Sequence, residues 1–179
     1  MSRRLDDLVP ELEVKAKTIK QECANNGVDL LIYCTLRTLE EQARLYRQSR
    51  TTATVKVEVD RLNNKGFDFL ADVLWNVGPV PGKLGKHVTH VSPGSSWHNF
   101  GMAFDAAPLV SGDCMWNTRH SHWNIYGEIA SSKGLIWGGR WTTFKDYPHV
   151  QLNNKKNPIR TFTPDQLRQI LKANGLIYE

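Results

Sequence analysis

The chain has 179 residues, of which 40% are hydrophobic and 23% are charged, and this composition is typical of one globular domain with its own core. No apolar run approaches the length of a membrane span. The N-terminal ten residues lack the apolar stretch of a secretory signal, so we expect a protein that is made in the cytoplasm. The net charge of +5 favours a polyanionic partner, which is nucleic acid, anionic lipid or a bacterial envelope. Nucleic acid is the weaker choice, because the chain lacks a dense basic block with interleaved aromatic residues.

The first third of the chain carries clear signals for two helices and one strand. Apolar residues recur at helical spacing over residues 10–27, with a proline at the first helical position and a glycine at the end. Residues 29–35 are a short apolar run, which predicts a buried strand. Thr38 and Glu41 have the spacing of a capping box, which predicts a second helix that ends near Arg50.

Residues 51–86 are an insertion-like segment whose structure is harder to predict. Residues 54–59 alternate as in a strand but also fit a helix. Residues 67–75 predict a short helix with one buried apolar face. Residues 78–85 are rich in glycine and proline, so we expect a loop there that lines one rim of the substrate cleft.

The rest of the chain alternates between short strands and helices. Because these elements follow one another without repeated strand-helix-strand units, we predict an α+β fold with a small, largely antiparallel sheet. We expect one domain over residues 1–179. Strands are predicted at residues 101–107, 135–137 and 149–152, and helices at residues 124–133 and 163–175.

Two clusters of polar residues have the composition of a catalytic metal site. His98 and Asp105 lie seven residues apart, and His149 follows in the second cluster. Two histidines and one carboxylate are a usual protein ligand set for catalytic zinc, with the fourth position left open. Asp146 supplies a further carboxylate for acid-base chemistry, so the set is suited to metal-assisted hydrolysis.

The predicted strand over residues 101–107 places Asp105 on the same face as two small residues. Alternation along a strand puts Gly101 and Ala103 on that face. Their small side chains would leave room for a metal ion and its substrate. Since His149 begins another predicted strand, two strands could direct ligands towards one point.

These residues carry a resemblance to a known family. The chain resembles the zinc peptidases of the D-alanyl-D-alanine carboxypeptidase and hedgehog fold, and it is most similar to the L-alanyl-D-glutamate endopeptidases that serve as phage endolysins. The resemblance spans roughly residues 5–151. It rests on four motifs: Ser96-x-His98-x-x-Gly101-x-Ala103-x-Asp105, Trp137-Gly138-Gly139, Asp146-x-Pro148-His149 and Thr35-Leu36-Arg37-Thr38-x-x-Glu41-Gln42.

The resemblance implies a role for each central residue. It makes His98, Asp105 and His149 the zinc ligands. It makes Asp146 the general base that activates water and then the acid that protonates the leaving amine. It also implies that Arg37 binds the substrate and stabilises the oxyanion.

Three further residues are predicted to contact the substrate, and each has a structural alternative. Ser96 fits a ligand-orienting or substrate-binding residue, or the cap of its own turn. Gln42 fits a contact to the stem peptide or a solvated helix face. Trp137 fits a cleft wall or a core residue.

Arg37 also fits a surface ion pair with a neighbouring glutamate, and Asp146 fits a turn-capping carboxylate.

The chain departs from the family at two places. Arg140 stands where relatives often carry an acidic residue after Trp-Gly-Gly. Residues 51–86 are longer than in compact endolysins of this kind and fit a lid, a wall-contact surface or extra packing.

The resemblance predicts a monomeric zinc endopeptidase that cuts the L-Ala–D-Glu bond of peptidoglycan and reaches the cell wall in phage-mediated lysis. We expect no separate cell-wall-binding domain. The alternatives are a D-alanyl-D-alanine carboxypeptidase of the same fold and a non-catalytic zinc-fold module that binds the wall.

Overall fold

The computed structural model describes residues 1–78, 85–155 and 157–177. The described residues contain six α-helices and five strands. The helices are α1 (Pro10–Asn25), α2 (Leu39–Arg47), α3 (Thr52–Asn63), α4 (Asp68–Asn76), α5 (Ser121–Ser132) and α6 (Pro164–Ala173). The strands are β1 (Asp29–Cys34), β2 (Ala103–Val110), β3 (Asp113–Cys114), β4 (Ile136–Trp137) and β5 (His149–Gln151).

The chain divides by its internal contacts into two units. The sheet unit comprises Met1–Leu36 and Gly101–Asn154, and the helical unit comprises Arg37–Phe100 and Lys155–Glu179. All five strands belong to the sheet unit and four of the six helices to the helical unit. The organisation of residues 1–179 as one catalytic domain stays a prediction.

The sheet is antiparallel throughout, with the order β1-β2-β5-β4 and with β3 paired to β2. This arrangement confirms the predicted α+β class and the small antiparallel sheet. Helix α1 packs against α5 and β1. Its buried face is formed by the residues whose spacing predicted the helix: Leu12, Ala16, Ile19 and Cys23.

Gly101 has a different role from the one that its position in the motif suggested. It lies in the turn before β2 with φ +63°, and an added Cβ would lie 2.7 Å from the carbonyl oxygen of Asp7. Its carbonyl oxygen accepts a hydrogen bond from the Val9 backbone N–H at 3.0 Å. The expectation that Gly101 leaves space for a metal and its substrate is therefore wrong, because the space is filled by the backbone before α1.

The helical unit contains the segment that the sequence left open. Residues 54–59 are part of α3, so the helical alternative is correct. Helix α4 packs against both α2 and α3. Its apolar face is buried through Leu70 and Leu74, as predicted. Of the predicted glycine- and proline-rich loop, residues 79–84 lie outside the described residues.

The helix starts in this unit follow the sequence signals. Thr38 and Glu41 form both hydrogen bonds of the predicted capping box at the start of α2. Thr163 and Gln166 form the same motif at the start of α6. Each box satisfies backbone N–H groups that have no partner within the helix. No helix among the described residues is long and apolar enough to cross a bilayer.

Candidate functional site

Asp105 and His149 lie opposite each other on adjacent strands of the sheet unit. The register of β2 and β5 pairs the two residues directly. The Nδ1 atom of His149 is 3.1 Å from Oδ1 of Asp105. Their side chains are only 10% and 13% exposed, so this carboxylate and imidazole face each other in a largely dry environment.

Gln151 determines how the imidazole of His149 is oriented. The Gln151 amide nitrogen donates a hydrogen bond to the Asn153 carbonyl, which can only accept, so its amide oxygen must face the imidazole. That oxygen is 3.1 Å from Nε2 of His149. Nε2 of His149 is therefore the donor to this oxygen, and Nδ1 faces the carboxylate of Asp105. At this distance Nδ1 and the carboxylate are placed to share a proton or to bind one cation.

Cys34 is a third potential metal ligand in the sheet unit, and sequence reasoning did not identify it. It pairs with Asp105 across β1 and β2, next to a register shift after Ile32. Its side chain is fully buried. A thiolate is a common zinc ligand, but the three cysteines lack metal-type spacing in the sequence, so only the strand pairing reveals the proximity.

The loop that carries Asp146 is held against the Trp-Gly-Gly motif. The backbone N–H of Asp146 donates to the Gly138 carbonyl at 3.1 Å, and its carbonyl oxygen accepts from the His149 N–H at 3.2 Å. A Cβ at position 138 would lie 2.4 Å from the carbonyl oxygen of Asp146. Glycine is therefore required at this position, because any side chain would displace the loop that links Asp146 to His149.

The two aromatic residues of this region have different surroundings. Trp137 is 5% exposed and belongs to the core. A Cβ added at Gly127 would lie 2.2 Å from the Trp137 ring, and one added at Gly139 would lie 2.3 Å from it. The lack of a side chain at both positions therefore leaves room for this ring. Its contact with substrate stays a prediction. The ring of Trp141 lies 5.3 Å from the ring of His149, so Trp141 is an aromatic neighbour of this histidine.

In the helical unit, Asn99 connects the residues around Arg37 with the segment that carries His98. The Arg37 backbone N–H donates to the His98 carbonyl at 3.1 Å. The buried Asn99 side chain donates to the Arg37 carbonyl at 2.7 Å and accepts from the Gly94 N–H at 3.1 Å. Asn99 was missed in the sequence, although it lies directly after His98. Ser96 is buried in the same segment, and its predicted role stays a prediction.

Gln42 is fully buried on α2 and holds the side chain of Arg37. Its amide oxygen accepts a hydrogen bond from Nη1 of Arg37 at 2.8 Å. Its amide nitrogen donates to the Val91 carbonyl at 2.7 Å and to the Thr89 hydroxyl at 3.3 Å. The Val91 carbonyl can only accept, and this fixes the amide with its oxygen towards the guanidinium. The alternative of a solvated helix face for Gln42 is therefore wrong.

Arg140, which departs from the family pattern, forms an ion pair with Glu128. Its Nη2 atom lies 2.6 Å from Oε1 of Glu128, and both side chains are more than half exposed. An exposed pair of this kind contributes little to stability.

The chain is similar to several known peptidases. The profile of a peptidase M15 family described as D-alanyl-D-alanine carboxypeptidase matches residues 90–152. The peptidoglycan L-alanyl-D-glutamate endopeptidase CwlK of Bacillus subtilis is 31% identical over 154 residues, which is 82% of this chain and 74% of that protein. An L-alanyl-D-glutamate peptidase of a Listeria phage is 24% identical over 88% of this chain and 42% of its own length.

The fold of the chain is also similar to that of a solved structure. The crystal structure of the L-Ala D-Glu endopeptidase ChiX from Serratia marcescens covers 83% of this chain and 83% of that chain, with 19% identity and a TM-score of 0.44.

The similarity to the Bacillus enzyme extends over most of both proteins, so the chain belongs to the peptidase M15 family. It is a metallopeptidase, as the sequence motifs predicted.

Proposed function

We propose that the protein is a zinc-dependent peptidoglycan endopeptidase that hydrolyses the L-Ala–D-Glu bond of the stem peptide. The observation that carries the proposal is the buried pairing of Asp105 with His149, whose Oδ1 and Nδ1 atoms face each other at 3.1 Å. The similarity to an enzyme named for this bond supports the choice of substrate.

The proposed zinc ligands are His98, Asp105 and His149. The donor set fits zinc, because it combines imidazole nitrogens with a carboxylate and leaves one position open. The hydrogen bond between Gln151 and Nε2 of His149 supports coordination through Nδ1, the nitrogen that faces Asp105. When bound, zinc polarises the scissile carbonyl and makes the attacking water more acidic.

We propose Asp146 as the group that moves protons. Its carboxylate takes a proton from the attacking water and later gives one to the amine of D-Glu as the peptide bond breaks. The proposal is supported by the position of Asp146 three residues before His149, in a loop that Gly138 and the backbone of His149 hold in place.

Arg37 is the proposed oxyanion-stabilising residue. A guanidinium lowers the barrier only if it is held where the negative charge develops, since a mobile side chain would have to reorganise during the reaction. The hydrogen bond from Nη1 of Arg37 to the buried Gln42 supports such a fixed position. Among the predicted substrate contacts, Gln42 therefore acts through Arg37, whereas Ser96 and Trp137 remain proposed contacts.

A second candidate is D-alanyl-D-alanine carboxypeptidase activity, which the description of the matching family favours. Both reactions use the same chemistry on different bonds of one substrate. A non-catalytic wall-binding module is disfavoured, because the chain belongs to a family of metallopeptidases.

Mass spectrometry of muropeptides distinguishes the two reactions. Purified sacculi are digested with the zinc-loaded protein and with the Asp146→Asn variant as the control. The proposal predicts new peptides with an N-terminal D-Glu, and the variant should produce few of them. Loss of a single D-Ala without new D-Glu termini would contradict it and support the carboxypeptidase.

The biological setting is also a proposal. We propose that the enzyme acts on the cell wall as a monomer and serves a phage or prophage in host lysis. The relative in a Listeria phage supports this role.

A further inference from the structure

The helical unit contains a polar cavity that the proposed chemistry does not use. Its volume is about 320 Å³. One histidine, His90, lines it together with three cationic side chains and one carboxylate, and these four charged groups come from α3, the turn after α3 and the short 3-10 helix Pro158–Arg160. These charged residues are Glu58, Arg61, Lys65 and Arg160.

The acidic residue is already neutralised within the cavity wall. Arg61 donates to both carboxylate oxygens of Glu58 at 2.6 Å, from Nε and Nη2. Burial alone would raise the pKa of Glu58, but hydrogen bonds from Arg61 and Ser92 lower it below its usual value. Glu58 therefore stays ionised, and its charge is matched by Arg61.

Two cations in the lining have no carboxylate partner among the described residues. Lys65 and Arg160 are exposed, and neither forms an ion pair with any carboxylate in the described part of the chain. Hydrogen bonds fix the backbone of both residues. The backbone N–H of Lys65 donates to the Leu62 carbonyl, and that of Arg160 donates to the Asn157 carbonyl. The cavity thus presents two positive charges from separate elements that no carboxylate of the described chain neutralises.

The polar lining also includes two buried hydroxyl groups from the segment of the chain that precedes His98. Ser92 and Ser95 are 2% and 4% exposed, and their hydroxyl oxygens lie 3.2 Å apart. Ser95 precedes His98 by three residues, so their Cα atoms are at most about 11 Å apart. An extended peptide of a few residues spans this distance.

We propose that this cavity is a subsite for a carboxylate of the stem peptide beyond the cut bond, held by Lys65 and Arg160. The inference rests on the proposed function. Hydrolysis of the L-Ala–D-Glu bond leaves D-Glu on the amine side, and this residue carries a carboxylate that is not consumed in the reaction. The lysine and arginine supply charge-assisted hydrogen bonds to such a group.

The test compares two soluble stem peptides, one with free carboxylates and one with the same groups amidated. The Lys65→Gln/Arg160→Gln variant should raise KM for the free peptide about 10-fold, which corresponds to the loss of a modest charge-assisted interaction. Its kcat and zinc content should not change. The wild-type protein and the variant should have equal KM values for the amidated peptide.

A matched control removes the same charge from the sheet unit. Lys20 and Arg119 are exposed, and Lys20→Gln/Arg119→Gln should leave KM unchanged. If both double variants raise KM equally, general attraction explains the effect and the subsite is refuted. An unchanged KM in Lys65→Gln/Arg160→Gln also refutes it.

Direct binding separates this proposal from the proposed function. Calorimetry with the Asp146→Asn protein measures the affinity for a tripeptide that begins with D-Glu, without turnover. Weaker binding after the Lys65 and Arg160 substitutions supports the subsite even if the wild-type protein cuts another bond. Equal binding overturns the subsite whatever bond is cut.

Discussion

The imidazole Nε2 of His149 donates a hydrogen bond to the amide oxygen of Gln151, and the two atoms are 3.1 Å apart. Because the Gln151 amide nitrogen is bound to the Asn153 carbonyl, the amide cannot rotate to reverse this interaction without losing a hydrogen bond. The arrangement leaves Nδ1 directed at Asp105, as the proposed coordination through this atom requires.

Replacing Gln151 should therefore weaken zinc binding. In Gln151→Met the imidazole loses the partner that selects its tautomer, and we expect zinc affinity to fall about 10- to 100-fold. Competition with a chromophoric chelator measures the effect, and circular dichroism checks that the fold is kept. Wild-type affinity in this variant would mean that Gln151 does not orient the ligand.

Replacing Gln42 should reduce turnover through Arg37. Gln42→Met keeps the buried volume but removes the acceptor for Nη1, and we expect kcat to fall about 10-fold, as for the loss of a hydrogen bond to a charged group. Zinc content should not change.

A double-mutant cycle identifies the cause. If Gln42 acts through Arg37, Gln42→Met should have little further effect on kcat in an Arg37→Ala protein. Equal effects in both backgrounds would show instead that Gln42 acts through its contacts with Val91 and Thr89.

Asp146→Asn tests the proposed proton transfer. The substitution keeps the shape of the side chain and removes its ability to accept a proton. Turnover should fall by on the order of 100-fold or more while zinc stays bound. Steady-state kinetics on a soluble stem peptide provides the measurement, and near-normal activity would exclude Asp146 as the base.

Gly138→Ala should disturb the loop that carries Asp146. The new Cβ would lie 2.4 Å from the Asp146 carbonyl oxygen, so the backbone must shift. We expect a loss of about 1–3 kcal/mol in the free energy of unfolding and a lower kcat. Thermal unfolding and kinetics report the two effects. A variant with unchanged stability and activity would show that the loop tolerates the displacement.

The parts of the fold that were predictable depend on local chemistry. The capping box at Thr38 and the apolar spacing in α1 act over a few residues, and both were correctly predicted. Helix α3 remained ambiguous because its β-branched residues fit a strand as well, and its packing against α4 selects the helix.

The candidate site shows the same limit. The residues that carry the motifs could be identified from the sequence. The proximity of Cys34 to Asp105 depends on strand pairing, and the contact of Gln42 with Arg37 depends on the burial of Gln42. The spacing of residues along the chain encodes neither. Gly101 was interpreted as space for substrate, whereas it allows the approach of the backbone at Asp7. Residue type indicated the chemistry, and packing decided which neighbours each residue contacts.

The zinc content of the purified protein and of two ligand variants tests the central claim most directly. The wild-type protein should hold about one zinc ion per chain, and His98→Ala or His149→Ala should each lose most of it, because two protein ligands remain. Elemental analysis after equilibration with substoichiometric chelator provides the measurement, with Lys20→Gln as the control. Full zinc occupancy in His149→Ala, or a wild-type protein that binds no zinc, would contradict the proposed ligand set.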